Sequence, residues 1–329
     1  MEKTKFAKLG TKEFWIQNSC FVILIVLVIA SAFLSNVFFT RQNILNLLRQ
    51  CIPLLIMSMG MLTVILTGGI DLSTGSIMGI CNMVVAWFLF YHFGKSVGGL
   101  VISILISMVV GMVFGLLSGF LVTFGRLAPF IVTLAISQIA RGCAYLISNA
   151  QPIRLNTKEA GTAVLTAFGN KSIPGIAIPW PIPVGVIVVV IFFLVMKYTS
   201  LGRIIIAIGS NENAVRLSGI SVTSYKIIAY LISGFTAGLA GIIITSRVST
   251  GSPITGDGYE LDAIASCVIG GASLSGGVGT VVNTVIGVLV LQLLSNTLNL
   301  LSVPSYPQQI IKGIVMIIAV LAQRQKTSS

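Results

Sequence analysis

Runs of about twenty apolar residues recur along this chain with short polar breaks between them, and this recurrence limits the fold more than any other feature. Of the 329 residues, 55% are hydrophobic and only 9% are charged, too few to cover the surface of a water-soluble domain. A helix needs roughly 20 apolar residues to cross a bilayer. The sequence therefore predicts an all-α polytopic membrane protein with about ten spans, at 15–35, 50–67, 73–91, 97–120, 128–148, 178–197, 225–246, 262–273, 278–300 and 306–322.

Three regions depart from regular spans. Segment 262–273 is too short to cross the membrane alone, so we expect it to join a re-entrant segment from 248 to 261. Segment 36–49 has apolar residues at helical spacing with charged and amide residues between them, which predicts a separate amphipathic helix in the outer interface. The loop from 149 to 177 is polar and then proline-rich, which favours extended or turning chain.

The net charge of +12 could indicate a nucleic-acid partner, but the basic residues are scattered between spans and form no single basic face. A cytoplasmic N-terminus places eleven of the 20 lysines and arginines inside and seven outside, as the positive-inside rule requires. We therefore expect both termini to be cytoplasmic. The predicted cytoplasmic segments are the tails 1–14 and 323–329 and a long connection, 198–224.

Catalytic and metal-binding patterns are weak in this sequence. The five cysteines form no CxxC pair, and the single histidine, His92, has no acidic or cysteine neighbour, so neither a metal site nor a nucleophile constellation is indicated. The segment GNKS at 169–172 lacks the glycine spacing of a phosphate-binding loop. The sequence predicts that the chain is not an enzyme and binds no cofactor itself.

An aspartate, Asp71, interrupts the apolar pattern within TGGIDLSTGS at 67–76. An ionised aspartate at the bilayer centre costs roughly 2.5–3.5 kcal/mol on insertion scales, so Asp71 needs water, a polar partner or the interface. The neighbouring glycines favour an interrupted helix that lines a cavity or is buried by protein, and Ser73, Thr74 and Ser76 can supply hydrogen bonds. Two roles stay open: lining a solute path, or forming a cytoplasmic turn in which Asp71 caps the next helix near Ser73.

A second stretch resembles the first, since GGASLSGG at 270–277 is similar to GGIDLSTG at 68–75. Each ends one apolar run and precedes another, and the predicted topology puts both on the cytoplasmic side. A parallel internal repeat would explain the similarity, and so would a chance match between glycine- and serine-rich segments.

Further polar residues lie in or near the predicted spans. Tyr259, Glu260 and Asp262 follow a glycine-rich turn near the outer face and could bind a hydroxylated solute; the alternatives are a surface loop for a partner protein or a capped helix start at Asp262. Arg141 could pair with one of these acids or extend to the interface. Asn296 could line a path or form a hydrogen bond between helices.

The connection between the sixth and seventh spans contains a short predicted helix. Ser210 is the expected cap, Asn211 and Glu212 the first turn, and Gly219 the terminator. Its apolar side holds Ala214, Val215 and Leu217, and its charged side holds Glu212 and Arg216. Because two turns of helix are unstable alone in water, this helix must dock on its own spans or in a groove of a partner protein.

Four long segments together resemble one transporter family. GMLTVILTGGIDLSTGSIMGI (60–80), APFIVTLAISQIARG (128–142), GSNENAVRLSGI (209–220) and GYELDAIASCVIGGASLSGGVGT (258–280) closely resemble the ribose, galactose and xylose type of ABC sugar-importer permease, and SYPQQIIKG (305–313) extends the resemblance to the last span. The resemblance covers nearly the whole chain. It implies that residues 1–329 form a single permease domain in the bacterial cytoplasmic membrane.

Family membership also implies partners and roles. The expected partners are two ABC ATPase domains that bind ATP and Mg²⁺, a second permease copy or homologue, an extracytoplasmic sugar-binding protein and membrane lipid. The residues that match the ATPase-coupling loop are Ser210, Asn211, Glu212, Ala214, Arg216, Leu217 and Gly219. The candidates for the substrate path, chosen from residue type and position, are Asp71, Ser73, Thr74, Arg141, Tyr259, Glu260, Asp262 and Asn296.

The expected cargo is a monosaccharide, either a ribose-like pentose or a hexose. The alternative from the residues alone is an ion-coupled secondary carrier of a small polar solute, in which Asp71 or Glu260 takes up a proton or a sodium ion. The short cytoplasmic helix separates the two classes, because a secondary carrier has no need to dock an ATPase.

Overall fold

The computed structural model of the protein describes the backbone of residues 19–327 and the side chains of residues 20–317. The predicted N-terminal tail, 1–14, lies outside the described residues. The described helices, in chain order, are α1 (Ser19–Leu34), α2 (Arg41–Leu66), α3 (Thr74–Phe88, continued by a π-helical turn, Leu89–Phe93), α4 (Val97–Thr123), α5 (Pro129–Ile147), α6 (Ala160–Asn170), α7 (Pro181–Tyr198), α8 (Ser200–Ser210), α9 (Glu212–Leu217), α10 (Val222–Val248), α11 (Tyr259–Ile269), α12 (Val281–Leu300) and α13 (Ser305–Thr327).

Seven of the described helices are long and apolar enough to cross a membrane: α2, α3 with its π-helical turn, α4, α5, α7, α10 and α12. Helix α1 is apolar but has only 16 residues. Helix α11 has 11 residues, as expected for the short predicted segment at 262–273. Helix α13 continues to Thr327, into the segment predicted as a C-terminal tail. A mainly helical membrane fold is confirmed, and the count of ten spans and the cytoplasmic position of the termini stay predictions.

Hydroxyl side chains define where several helices begin. Thr40 accepts a hydrogen bond from the backbone N–H of Asn43 at the start of α2, and Thr280 does the same for Asn283 at the start of α12. Such caps satisfy backbone donors that have no partner within the helix. Because α2 is one continuous helix from Arg41 to Leu66, the prediction of a separate interfacial helix at 36–49 is wrong.

Helices α2, α3 and α10 form the centre of the molecule, and α4 packs along α10. Small residues permit this close approach: a Cβ at Gly115 of α4 would lie 3.1 Å from Gly234 Cα of α10, and one at Gly111 would lie 2.6 Å from the Gly234 carbonyl oxygen. Glycines four residues apart are a common way for membrane helices to pack closely, since apolar burial does not drive their association in lipid. Helix α4 is therefore held in close backbone contact with α10.

The segment between α5 and α7 is more ordered than the proline-rich sequence predicts. Strand β1 (Ile153–Arg154) pairs antiparallel with β2 (Thr250–Gly251), just after α10. Helix α6 lies against the end of α10, where Asn170 Nδ2 donates to the carbonyl oxygens of Ser246 (3.2 Å) and Arg247 (3.1 Å). The expectation of extended or turning chain throughout 149–177 is corrected, because 160–170 is helical.

Candidate functional site

A polar cavity of about 290 Å³ lies between the start of α3, the middle of α5 and the start of α11. This volume is just below the usual range for ligand pockets, roughly 300–1,000 Å³. The cavity combines three leucines with hydroxyl, amide and charged groups, a mixture that suits a small hydroxylated solute. Its lining residues are Leu72, Ser76, Leu134, Ser137, Gln138, Arg141, Asp257, Glu260 and Leu261.

Arg141 fixes one wall of this cavity. Its Nη1 donates to the carbonyl oxygens of Pro253 (2.6 Å) and Thr255 (2.8 Å) in the loop before α11. Gly79 of α3 faces the guanidinium, and a Cβ there would lie 2.7 Å from Arg141 Nη1. The hydrogen bonds of Arg141 to protein atoms are thus to carbonyl groups, which hold the loop before α11 against α3 and α5.

Glu260 supplies a carboxylate to the same cavity. Its Oε2 is buried and accepts no hydrogen bond from the described residues. The carboxylate lies against Gly75, where a Cβ would overlap Glu260 Oε2. A buried acceptor without a donor is unfavourable by about 1–3 kcal/mol, and more when charged, so a purely structural role explains this oxygen poorly. A solute hydroxyl donating to Glu260 Oε2 would remove this penalty.

Ser137 and Gln138 were not singled out from the sequence, and Ser76 was expected to supply a hydrogen bond but was not a candidate for the substrate path. The Ser76 and Ser137 hydroxyl oxygens are 2.8 Å apart across the α3–α5 contact. Gln138 is exposed although it lies at the middle of α5. An amide in the centre of an otherwise apolar span is the signal that could have identified this residue.

A second cavity, of about 430 Å³, adjoins the first and lies between α11 and α13. The two cavities share Asp257, Glu260 and Leu261. Tyr259 and Asp262 line the second one, and Asp262 Oδ2 accepts a hydrogen bond from Lys312 Nζ at 2.8 Å. Asp262 lies within α11, whose N-cap position is Gly258, so the alternative of a helix start at Asp262 is wrong.

Asp71 is fully buried and lines neither of these cavities. Its Oδ1 accepts hydrogen bonds from the backbone N–H (3.0 Å) and the hydroxyl (2.5 Å) of Ser73. Its Oδ2 accepts a hydrogen bond from the Ser233 hydroxyl of α10 at 2.7 Å. Ser73 and Thr74 are also fully buried. Asp71 therefore stabilises the turn before α3 and joins that turn to α10.

Asn296 is paired with another amide instead of facing a cavity. Its Nδ2 donates to Asn43 Oδ1 (2.9 Å), and Asn43 Nδ2 donates back to Asn296 Oδ1 (3.2 Å) and to the Phe38 carbonyl oxygen (2.9 Å). Both side chains are buried. Of the two roles open for Asn296, the structure has the hydrogen bond between helices, here α2 and α12.

The short helix α9 differs at one end from its sequence prediction. Asn211, not Ser210, is the N-cap, and its Oδ1 accepts from the backbone N–H of Ala214 at 3.0 Å. Ser210 is the last residue of α8, and its hydroxyl donates to the Ile206 carbonyl oxygen. The reason is that α8 continues to Ser210, so that only Asn211 lies between α8 and α9. At the other end Gly219 has a positive φ of 78°, as predicted for a terminator.

Helix α9 is anchored on one side and free on the other. Glu212 pairs with Lys226 of α10 (2.6 Å) and with Arg216 (2.7 Å). The hydrogen bond from Lys226, aided by the positive charges of Lys226 and Arg216, lowers the pKa of the Glu212 carboxyl. Val215 is buried, whereas the Leu217 side chain is 89% exposed. Helix α9 therefore has one buried contact to its own chain and one exposed apolar side chain.

Comparison with known proteins identifies similar chains. Residues 43–320 match the family described as branched-chain amino acid transport system / permease component. The chain is 44% identical over 310 residues to the ribose import permease protein RbsC of Bacillus subtilis (94% of this chain, 92% of that one). It is 40% identical over 316 residues to RbsC of Escherichia coli K12 (96% of each).

A relative named for another sugar is also similar. The L-arabinose transport system permease protein AraH of Escherichia coli K12 is 35% identical over 312 residues, covering 95% of this chain and 92% of that one. No solved structure gives a significant match. Among the described residues, no cluster of histidine, cysteine or acidic side chains could hold a metal ion.

Proposed function

Because the chain belongs to the permease-component family of ABC transport systems, we propose that it forms the membrane path of an importer for a monosaccharide, either a ribose-like pentose or a hexose. The observation that carries this proposal is the identity of 40–44% to ribose import permeases over more than nine tenths of the chain. Similar relatives are named for arabinose and allose, so the proposal names a class of sugar and not a single sugar. The chain is a sugar permease subunit in the cytoplasmic membrane, and not an ion-coupled carrier.

The finer organisation of the importer is part of the proposal. Ten membrane helices, with both termini and the 198–224 connection in the cytoplasm, fit the distribution of basic residues in the sequence. ATP and Mg²⁺ bind to two ATPase domains on separate partner subunits. A sugar-binding protein delivers the cargo from outside, and the chain itself binds no cofactor and catalyses no reaction.

Helix α9 is the proposed docking element for the ATPase. Glu212 holds it to α10 through Lys226, while Leu217 and Arg216 are exposed for contact. The exposed apolar side chain of Leu217 next to the charged Arg216 fits the combination of apolar and polar groups found in protein interfaces. Asn211 and Gly219 delimit this helix, and Ser210 connects it to α8.

The cavity between α3, α5 and α11 is the proposed sugar-contacting part of the path. Arg141, Glu260 and Gln138 supply hydrogen-bonding groups, and Tyr259 and Asp262 line the adjoining cavity. Gln138 and Asp257 both line this cavity and are exposed, which places them on one face of the protein. Because polar groups at membrane depth do not face hydrocarbon, a second permease subunit covers this face and the path runs between the two. Asp71, Ser73, Thr74 and Asn296 support the path by holding helices together.

Reconstituted transport tests this proposal. The chain is placed in lipid vesicles with its ATPase inside and its binding protein outside, and uptake of labelled ribose, arabinose and a hexose is measured. We expect uptake of at least one sugar that requires internal ATP and persists when ionophores remove all ion gradients. Uptake driven by an ion gradient without ATP would overturn the proposal, and so would ATP-dependent uptake limited to amino acids.

A further inference from the structure

The helices before and after α9, which are α8 and α10, both contact one segment of the chain, residues 66–73, called here the break segment. This segment starts at the last residue of α2 and ends immediately before α3. It contains Gly68, Gly69 and Asp71. One connection to it comes from α8, which directly precedes α9, and the other comes from α10, which follows α9.

The connection from α8 is a close contact between backbones. A Cβ at Gly209, in the last turn of α8, would overlap the Leu66 carbonyl oxygen and the Gly277 backbone nitrogen. Gly277 N–H itself donates to the Leu66 carbonyl oxygen at 3.0 Å. A Cβ at Gly276 would lie 2.8 Å from both Gly209 Cα and Gly68 N. The two similar glycine- and serine-rich stretches thus meet each other, with the end of α8 packed against both.

The connection from α10 consists of polar side chains. Glu212 of α9 is held to Lys226 in the first turns of α10 at 2.6 Å. Two turns further along α10, the Ser233 hydroxyl donates to Asp71 in the break segment at 2.7 Å. Asp71 and Ser233 are both fully buried, so water does not compete for this hydrogen bond. Any movement of α10 that keeps the bond displaces the break segment.

The break segment in turn leads to the cavity. Asp71 binds the backbone N–H and the hydroxyl of Ser73, the N-cap residue of α3. The first turn of α3 then brings Gly75 against Glu260 and Ser76 into the cavity wall. These contacts form a continuous series from α9, through α8 and α10 and the break segment, to the cavity.

We propose that the break segment is the element through which movement of α9 reaches the solute cavity, with Gly209 and Ser233 as the positioning residues on its two sides. The inference rests on the proposed importer function, because it assigns the movement of α9 to an ATPase partner. Contact between residues does not by itself show that they transmit movement. The coupling between sugar import and ATP hydrolysis must therefore be measured.

The test compares variants in the complete complex of permease, ATPase and binding protein in vesicles. Gly209→Ala forces the backbones of α8 and the break segment apart, and Ser233→Ala removes the hydrogen bond from α10. We expect each to lower the number of sugar molecules imported per ATP hydrolysed by about 2- to 30-fold, the range for changes along a coupling network. The affinity of the permease for its ATPase should stay unchanged, because Gly209 lies in α8 and Ser233 lies in α10, outside the proposed docking helix α9.

Two variants are matched controls. Gly98→Ala adds a Cβ to another helical glycine, where nothing lies within 4 Å. Ser103→Ala removes a buried hydroxyl that donates to the Gly99 carbonyl oxygen of its own helix. Both should keep the wild-type ratio of sugar imported to ATP hydrolysed. If Gly209→Ala fails to assemble, Ser233→Ala decides, since it only removes an atom.

Two results would overturn the inference: a wild-type ratio in Ser233→Ala, or an equal fall in the two controls. Failure of the importer function looks different, because the wild-type complex itself would then import no sugar with ATP.

Discussion

Replacing Leu217 by serine should weaken ATPase binding without disturbing the permease fold. Leu217 is 89% exposed at the end of α9, so its side chain contributes little to folding within this chain. Full burial of a leucine side chain in an interface stabilises a complex by about 1.5–3 kcal/mol. Loss of that contribution corresponds to a dissociation constant about 10- to 150-fold higher. The expected result is a permease that folds normally and binds its ATPase much more weakly.

The assay is a titration of purified ATPase onto permease held in lipid nanodiscs, with thermal unfolding of the permease measured in parallel. Leu301→Ser is the control, because Leu301 is also an exposed leucine, 42% accessible, and lies in the turn after α12. We expect Leu301→Ser to leave the dissociation constant unchanged. An affinity for Leu217→Ser within twofold of the wild type would refute α9 as the docking element. A parallel fall in thermal stability would refute the reasoning that Leu217 acts only between subunits.

Three further outcomes are expected. The pKa of Glu212 is lowered in the folded chain, so its ion pairs stabilise α9 at pH values above the ordinary carboxyl pKa of 4.5. This stabilisation is lost as the pH falls through the lowered pKa. ATPase affinity should weaken over that acidic range, and Glu212→Gln should remove this part of the pH dependence. Glu260→Gln should slow sugar uptake by roughly tenfold or more through loss of a charged acceptor, with ATPase affinity unchanged in the same titration. Asn43→Ala should lower the free energy of unfolding by about 0.6–2 kcal/mol, because it removes a hydrogen-bonded partner of Asn296 inside the membrane; a thermal unfolding temperature equal to that of the wild type would contradict this.

The membrane helices were predictable from the sequence because hydropathy acts locally. In lipid every backbone polar group needs an internal partner, so a long apolar run has little choice but to form a helix. The short helix α11 was expected for the same reason, since 262–273 is too short to span. The error at 36–49 arose because polar residues were assumed to end the buried helix. Asn43 instead finds an amide partner on α12, and this partner is 253 residues away in the sequence.

The roles of single polar residues depended on contacts that no local pattern contains. Asp71 could be assigned to a turn or to a path from its sequence neighbours, and Ser73 does bind it as the turn requires. The decisive contact is with Ser233, 162 residues further along the chain. The N-cap of α9 was misassigned by one residue because α8 extends to Ser210, and the last turn of α8 packs against the distant residues Leu66 and Gly277.

The cavity shows why residue type alone selects only part of a solute site. Arg141 and Glu260 were identified because charge is rare in membrane spans, and both line the cavity. Ser137 was missed because serine in a membrane helix commonly bonds its own backbone. Ser76 was expected only to supply a hydrogen bond near Asp71, and the approach of α3 to α5 brings its hydroxyl to that of Ser137. Gln138 was missed although it is an amide at the centre of α5, where it is exposed. In lipid, a single copy of the protein would leave this amide without a hydrogen-bonding partner. Its position therefore requires either water or another subunit on this face, and the proposed path between two permease subunits would supply both.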